Sequence, residues 1–199
     1  MSVLTDTNKA SPNRLKHFIN CCNPTCKPVL ATSFPSKQEL LTIAEDLEEK
    51  LGRTEKDDVV FCHNDALLAN VVIQEENFSE NVINFIDLEY GAPNFAAFDI
   101  ANHFVEFVGC DGVLDYDKWL PGKSWRLEWV RKYLKERQLA GIIGGCGNVV
   151  EEEMVEALQD RVELFMLPAH LLWSVWAVIQ VSSHIYSVSS ILTRLRIPR

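Results

Sequence analysis

The chain has 199 residues, 47% of them apolar, and a formal net charge of −9. That length suits one domain or one lobe of a two-lobed enzyme, with enough apolar residues for a sizeable core. The acidic balance excludes a general nucleic-acid binder, which needs a basic face to meet phosphates, and it fits a cytoplasmic protein.

Residues 1–35 are polar and show no period, so irregular structure is expected there. The first stretch has no apolar h-region of a signal peptide. Six cysteines are scattered along the chain. Cys22 and Cys26 lack the second ligand pair that a zinc site needs. Ser36, with Glu39 three residues on, has capping-box spacing. Leu40, Leu41, Ile43, Leu47 and Leu51 then recur at helical spacing until Gly52. Val59-Val-Phe-Cys-His is a short run of β-formers that stops at Asn64-Asp65. Asn70-Val-Val-Ile predicts a second strand. Val82-Ile-Asn-Phe-Ile predicts a third, running into Asp87. Pro93 and Asn94 mark a turn. Phe95 to Val108 and Trp125 to Arg137 predict helices, with a glycine-rich break over 141–147. A long helix or helix pair follows from Glu151 to about Ile185, bent near Pro168. The apolar stretch from Leu164 to Val181 is interrupted by Pro168, His170 and Gln180 and is expected to be a buried helix rather than a membrane span. The fold class is therefore α+β, mostly α, with short β-hairpins.

Two acidic residues, Asp65 and Asp87, each follow a strand, and Asn70 lies five residues after Asp65. Phosphoryl transfer from ATP needs one carboxylate to orient and deprotonate the attacking hydroxyl. It also needs oxygen ligands to hold Mg²⁺ against the phosphates. Asp65 as base, with Asn70 and Asp87 as metal ligands, are the right residue types in the right order. Glu89 is a further candidate for a second Mg²⁺.

The order His63-Asn64-Asp65, then Asn70, a short hairpin and Asp87-Leu88-Glu89-Tyr90 resembles the catalytic and metal loops of the protein-kinase-like superfamily. The segment from Phe85 to Phe107 is similar to the choline/ethanolamine kinase signature at Asp87, Glu89, Tyr90, Asn94, Phe98, Asp99, Asn102, His103, Phe104 and Glu106. The resemblance covers about residues 36–181 and implies the C-terminal lobe of that fold. Residues 182–199 read as a divergent tail. By the resemblance, His63 packs beneath the metal loop, and Asp99 braces the catalytic loop, with Asn102 as further support. It also implies that Glu106, Trp173, Trp176 and Tyr90 surround a cationic amine, which needs a carboxylate, aromatic faces or both. Trp173 and Trp176 are three apart and so share a helical face.

The segments Glu106-Phe-Val-Gly, Asp115-Tyr116 and Trp129-Val-Arg-Lys-Tyr-Leu look more like ethanolamine kinases than choline kinases. The expected reaction is ATP- and Mg²⁺-dependent phosphorylation of ethanolamine, the first step of phosphatidylethanolamine synthesis by the CDP-ethanolamine route. Choline and aminoglycosides are the alternative substrates. The superfamily also implies a glycine-rich loop and a strand lysine over the phosphates. No glycine precedes Gly52, so the N-terminal lobe reads as missing and the chain alone is expected to transfer phosphate poorly. It would then be a fragment of an enzyme, or a non-catalytic lobe that pairs with a full-length relative. A homodimer is the other assembly the resemblance implies.

Overall fold

The computed structural model describes residues 11–21, 35–52, 58–73, 82–108, 115–144 and 149–182. Helices α1 (Ser11–Cys21) and α2 (Lys37–Leu51) come first, followed by strand β1 (Val59–Cys62). Strands β2 (Val71–Ile73), β3 (Ile83–Phe85) and β4 (Ala92–Phe95) lead into helix α3 (Ala96–Glu106). Helices α4 (Tyr116–Trp119), α5 (Lys123–Leu139) and α6 (Glu152–Ser182) complete the order.

The Ser36 capping box forms: its hydroxyl accepts from the Glu39 N–H and the Glu39 carboxylate accepts from the Ser36 N–H. Such a cap stabilises a helix start by about 1 kcal/mol. Residues 1–35 were expected to be irregular, and α1 corrects this over residues 11–21. Leu15, Phe18 and Ile19 are spaced at i, i+3 and i+4. Leu15 and Ile19 join the core while Phe18 packs against it. Three apolar residues in a polar stretch gave little periodic signal, and docking on α2 and α6 stabilises the helix. Residue 36 is therefore not a structural boundary.

The strands form two separate antiparallel pairs. β2 pairs with β3 as a hairpin, with Val71 opposite Phe85. β1 pairs with β4, with Val59 opposite Phe95 and Cys62 opposite Ala92. The expected turn at Pro93 and Asn94 is therefore a strand. Proline lacks the N–H that a ladder bond needs, but among the described residues β4 has only β1 as a neighbour and tolerates it.

Helix α6 is the spine of the fold. Val162, Phe165, Ala169, Leu172, Val175 and Val178 line its buried face. The Phe165 ring packs against Phe95 and Phe98, at 5.5 and 6.3 Å between centroids. By length and composition the helix over Glu152–Gln180 could cross a membrane, because it contains an 18-residue window with a mean hydropathy of 1.6. The expectation that this stretch is too short and too polar for that is therefore corrected. One apolar face, from Val162 to Val178, packs inward against α1, α3 and α5. Pro168 lies inside the helix and is buried. Cys22, Cys26 and the tail beyond residue 182 lie outside the described residues.

Candidate active site

The β1–β4 ladder holds together the two ends of the segment from His63 to Gly91, and the candidate catalytic residues lie within it. Asp65, buried, follows β1 by three positions. Its carbonyl accepts from the Leu67 N–H at 2.8 Å and from the Asn70 side-chain amide at 2.9 Å. Asn70 ends a 3-10 turn and is buried. Its amide nitrogen is thus engaged by Asp65, which leaves Oδ1 as the end suited to a cation. The Asn70 carbonyl accepts from the Ile86 N–H at 3.0 Å, continuing the β2–β3 ladder to the residue before Asp87.

Asp87 is exposed and adopts a left-handed backbone, φ 61° and ψ 56°. Only asparagine and aspartate among non-glycine residues visit that region with any ease. His63 ties the two loops together: its Nε2 donates to the Ile86 carbonyl at 2.9 Å, and its ring tilts against Phe85. This contact joins the His63 ring to the residue before Asp87. Its Nδ1 is buried without a hydrogen-bond partner. Glu89 sits in the following 3-10 turn, Leu88–Tyr90, and is exposed. At Gly91 a Cβ would lie 2.9 Å from both the Leu88 carbonyl oxygen and the Phe61 ring, so the end of this turn requires glycine.

Asp99, in the first turn of α3, accepts two backbone bonds from the segment just before Asp65. The His63 N–H reaches Oδ2 at 2.9 Å and the Asn64 N–H reaches Oδ1 at 2.7 Å. Burial pushes the Asp99 carboxyl above its ordinary pKa of 3.8, while those two N–H groups pull the other way. One turn on, Asn102 is fully buried. It donates to the Asn64 carbonyl at 3.1 Å and accepts from the Trp173 indole N–H at 2.6 Å.

The aromatic residues expected around an amine do come together. Tyr90 meets Trp173 edge to face at 5.6 Å, and Trp173 meets Trp176 at 5.7 Å. The Trp176 indole N–H donates to the Tyr90 hydroxyl at 2.8 Å. Burial raises the Tyr90 pKa, so the phenol remains neutral. Glu106 is the last residue of α3, one turn beyond Asn102, and is half-buried.

Several site residues lay outside the sequence reading of roles. Asn64 and Asn94 bond side chain to side chain at 2.7 Å. His103 Nδ1 donates to the Ala66 carbonyl at 2.6 Å and so holds the loop after Asp65. Tyr116 donates to His170 Nε2, one turn before Trp173 on α6. Asn94 and His103 fall within the segment that resembles the family signature and Asn64 is next to Asp65, but the contacts themselves cross distant parts of the chain.

Asn70 and Asp87 offer oxygen ligands of the kind Mg²⁺ prefers, completed in such sites by phosphate and water. Among the described residues no group of three or more histidine, cysteine or acidic side chains could hold a metal without them.

A family profile described as choline/ethanolamine kinase matches residues 5–191. The chain belongs to the choline/ethanolamine kinase family. Its members are phosphotransferases. The match extends beyond residues 36–181, on which the sequence resemblance rested, into both ends. Ethanolamine kinase of Drosophila melanogaster is 43% identical over 122 residues, which are 61% of this chain and 21% of that protein. Ethanolamine kinase 1 of Mus musculus is 38% identical over 143 residues, 72% of this chain and 36% of its own. The chain thus spans less than half the length of these kinases. A solved Plasmodium vivax ethanolamine kinase superposes with a TM-score of 0.72 at 23% identity, covering 94% of this chain and 47% of that one. A Cryptosporidium parvum choline kinase does so at 0.63 and 21%. At these identities the likeness shows the fold, which is the protein-kinase-like fold expected from the loops.

Proposed function

We propose that this lobe phosphorylates the hydroxyl of ethanolamine, using ATP and Mg²⁺, and supplies phosphoethanolamine to phosphatidylethanolamine synthesis in the cytoplasm. One observation carries the reading: the loop holding Asp65 is hydrogen-bonded both to the segment bearing Asp87 and, through Asn102, to Trp173. The candidate base, the candidate oxygen ligands and the aromatic wall are thus joined through one set of hydrogen bonds. Asp65 takes the proton from the substrate hydroxyl as it attacks the γ-phosphorus. Asn70 and Asp87, with Glu89 beside them, would hold Mg²⁺, which neutralises charge on the phosphates. The ammonium group faces Tyr90, Trp173 and Trp176, with Glu106 as the balancing carboxylate. Names of relatives favour ethanolamine over choline, though both substrates occur among them. The residues before Gly52 hold no glycine, so a glycine-rich cover for the phosphates would come from outside this segment.

The test is transfer from radiolabelled Mg·ATP to ethanolamine, choline and an aminoglycoside, with tryptophan fluorescence recording amine binding. Ethanolamine is expected to have the highest kcat/KM, and Asp65→Asn is expected to lower kcat by about 10²–10⁴-fold while binding persists. Turnover surviving Asp65→Asn removes the base, and faster choline turnover replaces the substrate. A chain with neither transfer nor an amine response is a non-catalytic lobe, and the proposal fails.

A further inference from the structure

Asn64 lies next to Asp65 and all four of its polar atoms are engaged. Its N–H donates to Asp99 at 2.7 Å, and its carbonyl accepts from Asn102 at 3.1 Å. Its Oδ1 accepts from Asn94 at 2.7 Å. Its amide nitrogen contacts the carbonyls of Tyr90, Cys62 and Ala92 at 3.0, 3.2 and 3.3 Å. The residue is 2% exposed and holds φ at 62°. A fully satisfied buried network of this kind fixes one arrangement of its members.

These bonds form a closed circuit. From Asn64 one arm reaches the Tyr90 backbone, and the Tyr90 hydroxyl then accepts from Trp176. The other arm runs through Asn102 to Trp173. Both arms end on α6, three residues apart, and the circuit encloses the aromatic wall. The residue that closes it sits beside the proposed base.

We propose that Asn64 is a positioning residue that sets the spacing between Asp65 and the aromatic amine pocket, and thereby selects amino alcohols by the length of the carbon chain between nitrogen and hydroxyl. This rests on the amine-kinase reading above. An amine seated on the two indoles presents its hydroxyl at a reach fixed by its own carbon count. A misplacement of about 1 Å at a reacting group can cost about 10²-fold in rate. A rigid spacing therefore favours the two-carbon ethanolamine over 3-amino-1-propanol, although both carry the same ammonium and the same primary hydroxyl. The side-chain circuit supplies that rigidity, and the left-handed backbone alone does not.

Asn64→Gly separates the two, because glycine adopts the same φ without strain and loses every side-chain bond. Asn102→Leu cuts the other arm and serves if the first variant folds poorly. The experiment compares kcat/KM for ethanolamine and for 3-amino-1-propanol in wild type and variants, with transfer from Mg·ATP. Wild type is expected to prefer ethanolamine by about 10²-fold. Each variant is expected to reduce that ratio at least tenfold, through kcat, with KM for ethanolamine within about threefold. In parallel, hydrogen exchange at the Asp65 amide, which needs no turnover, is expected to slow on ethanolamine binding in wild type and not in Asn64→Gly. A ratio unchanged while both activities fall together overturns the proposal and leaves Asn64 a structural residue. Wild type that neither phosphorylates nor binds either amino alcohol overturns the amine reading and this proposal with it. Wild type that turns over ethanolamine with an intact ratio in the variants overturns this proposal alone.

Discussion

Asp99 joins two opposed effects in one carboxylate. Its two N–H partners favour the charged form, and burial, the larger effect, disfavours it. An acid whose folded pKa is raised contributes stability that is complete below the unfolded value and is lost as pH rises through the folded one. Wild type is therefore expected to lose stability relative to Asp99→Asn as pH rises from below 3.8, the ordinary value, through the raised one. At any pH the variant turns an amide N–H₂ toward one of two backbone donors. That costs about 1–3 kcal/mol, measured by urea unfolding. His170 works in the opposite sense. Burial lowers its pKa below 6.5, so its contribution is complete above 6.5 and is lost as pH falls through the lowered value. A stability profile between pH 7.5 and pH 5 should therefore fall more steeply for wild type than for His170→Leu.

At the level of elements, α3 and α6 supply the bracing residues and the aromatic wall, and their contact depends on apolar packing rather than charge. Phe165→Ala removes a fully buried ring from between β4, α3 and α6 and is expected to cost about 3–5 kcal/mol. Ile19→Ala on α1 is expected to cost about 2–5 kcal/mol, because the side chain is wholly buried. Breaking the nearby Lys16–Glu48 ion pair, 2.6 Å long and partly exposed, is expected to cost no more than about 1 kcal/mol. Denaturant midpoints of the three variants check the order. The same contrast explains what could be read beforehand. α2 announced itself through a capping box and five leucine-like positions in register. α6 did so by length and apolar content. α1 holds its place through a handful of side chains whose partners lie on other helices, and a local pattern does not carry that. β4 was hidden because Pro93 and Asn94 favour turns, and its partners in β1 lie thirty or more residues upstream in the chain.

Across the whole molecule, the candidate catalytic residues were easier to pick out in the sequence than the scaffold that holds them. Asp65, Asn70 and Asp87 fall within a short stretch, and their spacing follows from one turn and one hairpin, so a linear motif describes them. The circuit through Asn64, Asn102 and Trp173 joins residues 38 and 71 positions apart. No window of sequence contains it. The same compactness leaves an apolar rim beside the site. Phe61 is 69% exposed, and Leu68, Ile73, Ile83, Phe85 and Leu88 are exposed around the hairpin.

Cys62 lies at the end of β1, with its thiol directed at the Asn94 and Phe95 carbonyls and its pKa pushed up strongly by burial. The reactive form of cysteine is the thiolate, so this sulfur is inert while the β1–β4 ladder is closed. In a variant whose other five cysteines are serines, a thiol-specific dye can reach it only when that ladder opens. The labelling rate then becomes a clock for how often the catalytic loop detaches from its scaffold. Ligands that fasten the loop should slow the clock, and their affinities could be read from the delay without any chemistry taking place.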